Sequence, residues 1–444
     1  MSSVFSVRQG VNLDLDLAKL DSHLEVAVAA GLISSGTAHR IGLAARLAAT
    51  SLQEGEAAGP AVISGQALAG IMGLSRAAVH KHMRHLQALG FSVTSAPGKG
   101  YRLESPFTDL VAAEAVLPFL LGSTRCEKGA VADLSEAGPP QSGLPYVGLP
   151  YLYLERCEST NLVLREAMTS RGDAAGFAAG RTVRSRRSSA WAPTGAVVVT
   201  DAQTGGRGRL NRTWSSRPGK DLTFSILLRP SLVPGQAHLL SLTAALAVAE
   251  VLETMPGLKE GVAVKWPNDV LLGGKKVCGI LLEGSMDADR LQWAVAGIGL
   301  NVNSASSALM TSATPEQAAD WGGKPRPVSL REHLGHEVPR APLLAALLDR
   351  LGVRWAALES RSASQAEILD QLRRRDALAG RPVEVVKATG PREPAVVGEA
   401  VGIGPEGQLL VRQASGQMLE VFAGDVTVRS AGDMRSGAET RAGL

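Results

Sequence analysis

Gln203-Thr-Gly-Gly-Arg-Gly-Arg-Leu-Asn-Arg-Thr-Trp214 is the stretch on which the reading of this chain turns. Two adjacent glycines followed by Arg-Gly-Arg make a pliant backbone that carries permanent cations. Such a loop can close over a polyphosphate and offer it guanidinium forks. It is not a P-loop, because no Gly-Lys-Ser/Thr end follows. Taken alone, a Gly/Arg-rich loop also suits RNA.

The flanking motifs narrow the choice. Val264-Lys-Trp-Pro-Asn-Asp-Val270 sets Lys265 and Asp269 four residues apart around a proline that fixes a turn. Gly274-Lys-Lys-Val-Cys-Gly-Ile280 runs into a strand whose Gly279 permits close approach, and Gly297-Ile-Gly-Leu-Asn-Val-Asn303 reads as a second tight strand beside a ligand. Glu158-Ser-Thr-Asn161 opens a helix, where plain N-capping is the competing explanation. Periodicity predicts helices at 161–168, 239–252, 341–358 and 365–374, and strands at 196–200, 222–228, 262–264 and 277–283. Glycine-punctuated short strands follow from Arg381 to Arg429. Within them Gly402-Ile-Gly-Pro-Glu-Gly407 matches G-x-G-x-x-G, but Pro405 and the β-rich Gln408-Leu-Leu-Val make it a hairpin turn and not the opening of a helix.

Towards the amino terminus, Gln66–Met72 and Arg76–Leu89 read as two short helices around Gly73-Leu-Ser75, a helix-turn-helix signature with Ser75 as N-cap. Val79, Met83, Leu86 and Leu89 share one face, and Arg76, His80, Lys81 and Arg84 the other. Two strands joined by Pro97-Gly-Lys99 make a wing with Lys99 at its tip. No Asp or Glu occurs from Ile63 to Leu103. The plain alternative is a helical hairpin with a solvated basic face. Ala44–Leu52 and Pro106–Leu121 read as further helices, with a Gly/Pro-rich segment at 122–148 and a basic surface insert at Arg181–Arg187.

The 444 residues carry 46 Lys and Arg against 42 Asp and Glu, so the +4 balance describes basic clusters and not a polycation. Aromatics at 4% leave few platforms for base stacking. Cys126, Cys157 and Cys278 form neither a disulfide framework nor a zinc spacing, as expected in a reducing cytoplasm. The stretch Leu242–Met255 is broken by Glu250 and Glu253 and is shorter than the ~20 residues of a membrane span, and no signal peptide is visible. A cytoplasmic, membrane-free protein is expected.

These motifs together resemble the biotin protein ligases strongly, over about Tyr151 to Ser430. The run Met72-Gly-Leu-Ser-Arg-Ala-Ala-Val-His-Lys-His82 with Pro97-Gly-Lys-Gly-Tyr101 resembles the winged helix of the bifunctional ligase–repressors. The resemblance implies an α+β chain: a winged helix-turn-helix, a central mixed α/β domain of the biotin/lipoate ligase type and an SH3-like β-barrel. The expected map is 1–35 helical extension, 36–105 DNA-binding, 106–150 linker, 151–379 catalytic, 380–430 SH3-like and 431–444 disordered tail.

It also implies roles. Ser159, Thr160, Asn161 and Gln203 would line a biotin pocket, and Arg207, Gly208 and Arg209 would fold over carboxylate and phosphate. Lys276 would contact biotin's carboxylate, Lys265 the nucleotide phosphates, and Asp269 the acceptor lysine. Arg212, Asn268 and Asn301 would face the nucleotide, with Trp214 as the wall for adenine. Ser75, Arg76, His80, Lys81, Arg84 and Lys99 would meet DNA. No protein-held metal site is expected. Where the family has glycine this chain has Asn211, a residue tolerant of left-handed backbone.

The implied chemistry is ATP-dependent formation of biotinyl-5′-AMP, with Mg²⁺, then transfer to a lysine of a biotin carboxyl carrier protein. Oxide is a poor leaving group, so the carboxylate must be activated, and cations stabilise the charge that builds at the α-phosphate. The implied repressor would bind operator DNA as a homodimer when adenylate-bound. A ligase whose winged helix is not regulatory, or a biotin sensor without catalysis, remain the alternatives.

Overall fold

The computed structural model describes residues 4–5, 13–53, 62–96, 98–105, 109–122, 147–169, 192–310, 325–359, 363–386 and 395–429. They fall into two compact units. The first draws on 1–204, 218–228 and 337–353, the second on 205–217, 229–336 and 354–444. The insert Arg181–Arg187, most of 122–148 and the tail 431–444 lie outside the described residues.

The first unit opens with a short antiparallel pair, β1 (Val4–Phe5) and β2 (Leu13–Asp14). Helix α1 (Leu17–Ala29) is capped by Asp16, whose carboxylate accepts from the Ala18 and Lys19 amides. It packs on α2 (Ser35–Gln53), which extends the expected Ala44–Leu52 helix at its amino end by nine residues and continues to Gln53. Then come α3 (Gly65–Met72) and α4 (Arg76–Ala88). Gly73 turns the chain between them at φ 61°, and the Ser75 hydroxyl caps α4 through the Ala78 amide, a bond that stabilises by about 1 kcal/mol. On α4, Val79, Met83 and Leu86 are buried at the 3.6-residue period. Strands β3 (Val93–Ala96) and β4 (Gly100–Leu103) form the wing, and Ile63 bridges Tyr101 as its third strand. This is a winged helix-turn-helix.

Of the helix expected over 106–121, residues 106–108 lie outside the described residues and α5 spans Ala113–Leu121. Asp109, ahead of that helix, is held by Arg340. Arg340 is 2% exposed and donates to Asp109 Oδ1 at 2.8 Å, Asp201 Oδ1 at 2.7 Å and the Asp221 carbonyl at 3.1 Å. A buried guanidinium is tolerable only with such pairing, because desolvation of an ion costs several kcal/mol. Arg340 therefore ties the segment after the wing to a three-stranded sheet. In that sheet β5 (Tyr151–Cys157) runs parallel to β6 (Val197–Gln203), which is antiparallel to β7 (Leu222–Leu228). Helix α6 (Thr160–Thr169) follows β5 and packs on β6 and β7.

In the second unit the helix Ala237–Glu253 is nearly all apolar and buried against an antiparallel meander. A window at Pro234–Glu253 is long and apolar enough to span a membrane, but 78% of it is buried inside the protein, as in a core helix. The meander is β8 (Val262–Lys265), β9 (Asp269–Leu272), β10 (Lys275–Met286) and β11 (Leu291–Leu300), in the order β11-β10-β9-β8. The helix Ala363–Arg374 follows. The chain then makes an antiparallel five-stranded sheet, β15-β14-β13-β12-β16, from β12 (Pro382–Val386), β13 (Val396–Ile403), β14 (Leu409–Arg412), β15 (Met418–Val421) and β16 (Asp425–Val428). The G-x-G-x-x-G run is the β13–β14 turn, closed by the Gly404 amide donating to the Gln408 carbonyl at 2.8 Å.

Candidate active site

In the first unit, the Ser159-Thr-Asn161 segment does more than cap a helix. Its three residues are 4%, 2% and 4% exposed. The Thr160 amide, one of the free donors at the start of α6, is satisfied by Gln203 Oε1 from the end of β6 at 2.8 Å. Ser225 Oγ lies 2.6 Å from both Thr160 Oγ1 and Asn161 Oδ1. An amide oxygen only accepts, so the single Ser225 proton goes to Asn161 and the Thr160 hydroxyl donates back. Thr160, Asn161 and Gln203 are thus brought together as predicted. Ser225 was not foreseen; its signal was a hydroxyl inside the wholly buried run Leu222–Leu228.

In the second unit, Lys265 and Asp269 are register partners across the β8–β9 turn. Lys276 Nζ pairs with Asp269 Oδ1 at 2.7 Å and sits 5.7 Å from the centre of the Trp214 ring, within reach of a cation–π contact. That indole lies on Gly279 and Gly299, which face each other across β10 and β11. A Cβ on Gly299 would overlap the indole, and one on Gly279 would come 3.0 Å from both Trp214 Cζ3 and Lys276 Nζ. The two glycines make a floor that admits a flat ring beside an ammonium group.

Several predicted ligands of phosphate have partners within the protein. Lys265 is 5% exposed and donates to the Val426 carbonyl at 2.6 Å; burial holds its ammonium below the ordinary lysine value. Arg209 donates to the Gly424 carbonyl at 2.9 Å, and burial likewise lowers its guanidinium. Arg212 forks onto Asp425. Arg207 is exposed, with its backbone bridged to Thr213. Asn268 donates to the Ile280 carbonyl at 2.6 Å. Asn301 donates to the Val328 carbonyl at 3.2 Å, while its Oδ1 is buried with no partner. In this loop the residue in the left-handed region is Leu210, at φ 53°, and Asn211 does not use its tolerance of that region.

On the winged helix, Arg76, His80, Lys81, Arg84 and Lys99 are all exposed, so the predicted basic face stands clear. His80 Nδ1 lies 3.0 Å from the Tyr101 hydroxyl, which links recognition helix and wing.

Fold and site together define a ligase of the carboxylate-activating kind, preceded by a DNA-binding domain. Residues 179–301 match the biotin/lipoate A/B protein ligase family, and residues 52–102 match a helix-turn-helix domain. The chain is 34% identical over 233 residues to a biotin–[acetyl-CoA-carboxylase] ligase of Paracoccus denitrificans, covering 52% of this chain and 90% of that protein. It is 27% identical over 369 residues to the bifunctional ligase/repressor BirA of Bacillus spizizenii, covering 83% and 94%. The Aquifex aeolicus biotin protein ligase solved with biotin and ATP shares 27% identity, covering 63% of this chain and 99% of that one, at a TM-score of 0.46. This chain belongs to the biotin protein ligase family.

Proposed function

We infer that the protein condenses biotin with ATP to biotinyl-5′-AMP, releasing diphosphate, and passes the biotinyl group to a lysine of a biotin carboxyl carrier protein. The observation that carries this reading is Lys276, paired with Asp269 beside the two-glycine floor. Lys276 draws in the carboxylate and stabilises the charge that grows as it attacks the α-phosphate. Arg207, Gly208 and Arg209 close over the adenylate and exclude water. Arg212, Lys265, Asn268 and Asn301 face the nucleotide, with Trp214 against adenine. Ser159, Thr160, Asn161 and Gln203 hold the biotin end. Asp269 receives the incoming lysine and keeps its amine oriented for attack.

Among the described residues no group of three or more His, Cys, Asp or Glu could hold a metal ion. In this reading Mg²⁺ arrives with the nucleotide as part of the substrate. Biotin-dependent exchange of labelled diphosphate into ATP tests the first step, and labelling of a carrier domain tests the second. Activity in the wild type and its loss in Lys276→Ala are expected; no exchange in the wild type overturns the reading.

The exposed basic face favours a second function in the same chain. Ser75, Arg76, His80, Lys81, Arg84 and Lys99 bind operator DNA, and biotinyl-5′-AMP acts as corepressor by favouring a homodimer that spaces two recognition helices. A gel shift that does not respond to the adenylate would leave a ligase alone. The domain map proposed is 1–35, 36–105, 106–150, 151–379, an SH3-like 380–430 and 431–444.

A further inference from the structure

The loop 205–217 is folded on itself and fastened at one side. The Gly208 amide donates to the Arg212 carbonyl at 2.7 Å, and the Trp214 amide to the Gly206 carbonyl at 3.0 Å. Leu210 sits in the left-handed region, a conformation that a leucine adopts only when its surroundings impose it. Two arginines reach from this turn to the start of β16. Arg209 holds the Gly424 carbonyl at 2.9 Å, and Arg212 clasps the Asp425 carboxylate with both guanidinium ends. Two residues on, the Trp214 indole covers Gly279 and Gly299.

That position leaves the ring's polar handle unserved. The indole N–H is buried and has no acceptor, whereas a buried tryptophan ordinarily finds one. A side chain settled for good on this floor would not be expected to strand its only donor. The floor itself lies beside Lys276, the cation best placed to receive a carboxylate or phosphate. A ligand ring cannot reach that floor until the indole leaves it.

We propose that Trp214 plugs its own ligand slot in the free protein, and that Asp425 with the Gly424 carbonyl is the catch that keeps it there. The loop is thus an autoinhibitory contact before it is a lid. The ligand undoes the catch with the same groups: its negative charge competes with Asp425 for Arg209 and Arg212, and with Asp269 for Lys276. Freed of Asp425, the loop carries Trp214 off the glycines. The catch is a statement about the free protein; only the choice of biotin as ligand rests on the ligase reading.

Hydrogen–deuterium exchange of peptide 205–217 in the ligand-free, full-length chain tests the catch, and the stopped-flow association rate of biotin tests the plug. Asp425→Asn should speed exchange in this segment by about fivefold, the scale of one partly exposed ion pair. Asp425→Glu should behave as wild type, and biotin should associate with Asp425→Asn about fivefold faster. Arg212→Gln removes the same contact from the loop side and leaves β16 untouched, so a folding defect in the Asp425 variant would not hide the answer. Unchanged exchange in both variants overturns the catch. Faster exchange with an unchanged biotin association rate overturns the plug. A chain that binds no biotin at all sinks the ligase reading, while the exchange data still decide the catch.

Discussion

Lys276 and Asp269 form an ion pair at 2.7 Å, joining the cation proposed for biotin's carboxylate to the acid proposed for the acceptor lysine. The two sit on adjacent strands, β10 and β9, so under the proposed roles one pair serves both half-reactions. Lys276→Ala should reduce biotin-dependent diphosphate exchange by about 10²–10³-fold, the usual effect of deleting one preorganised charge. Asp269→Asn should spare exchange and depress transfer to the carrier. Equal loss of both half-reactions in Asp269→Asn would show that the acid serves the first step.

Ser225 is fully buried and bonds two residues assigned to biotin, Thr160 and Asn161. Ser225→Ala removes the hydroxyl that donates to Asn161 Oδ1, at a cost of about 1–3 kcal/mol. Weaker biotin binding in titration calorimetry is expected, with ATP affinity unaltered. Unaltered biotin affinity would reduce Ser225 to a packing residue.

Lys81 and Arg84 both project from the exposed face of α4. If each neutralises one phosphate, the double Ala variant should lower the slope of log K against log salt by about two units per bound protomer, at every DNA sequence tested. Fluorescence anisotropy across a salt series measures it. An unchanged slope would place the DNA on another surface.

His238, at the start of the helix Ala237–Glu253, lies 2.8 Å through Nε2 from the Glu406 carbonyl and stands edge-on to Phe422. Burial holds its imidazole below the ordinary value of 6.5, outweighing the bonds to Glu406 and Gly235 that raise it. Below 6.5 the unfolded chain therefore takes up the proton before the folded one. The stability that neutral His238 contributes is complete above 6.5 and is lost as pH falls through the folded value. Thermal unfolding from pH 7 to pH 5 should show this loss in the wild type and less of it in His238→Gln. Parallel profiles would exclude the imidazole as the source.

Local signals were strong where one element contained its own explanation. Ser75, the apolar spacing of α4 and the glycines of the wing were legible, because capping, period and turn chemistry act within a few residues. Pro405 with the β-rich Gln408-Leu-Leu-Val run was enough to reject the dinucleotide reading, since together they make a hairpin turn and not the opening of a helix. Where the helix expected over 106–121 begins was less legible: residues 109–112 are not helical, and Asp109 answers to Arg340, 231 residues away.

The chemical inventory of this protein was therefore set by sequence: an Arg-Gly-Arg loop, a Lys265/Asp269 turn, Lys276 and a basic recognition helix. Tertiary structure alone decided which partners those groups take within the protein. Arg212 meets Asp425 across 213 residues, Lys265 turns to Val426 across 161, and Trp214 settles on Gly279 and Gly299. A charge declares itself in the sequence, but its partner is chosen by how distant strands come together. That pairing leaves no periodic or compositional trace.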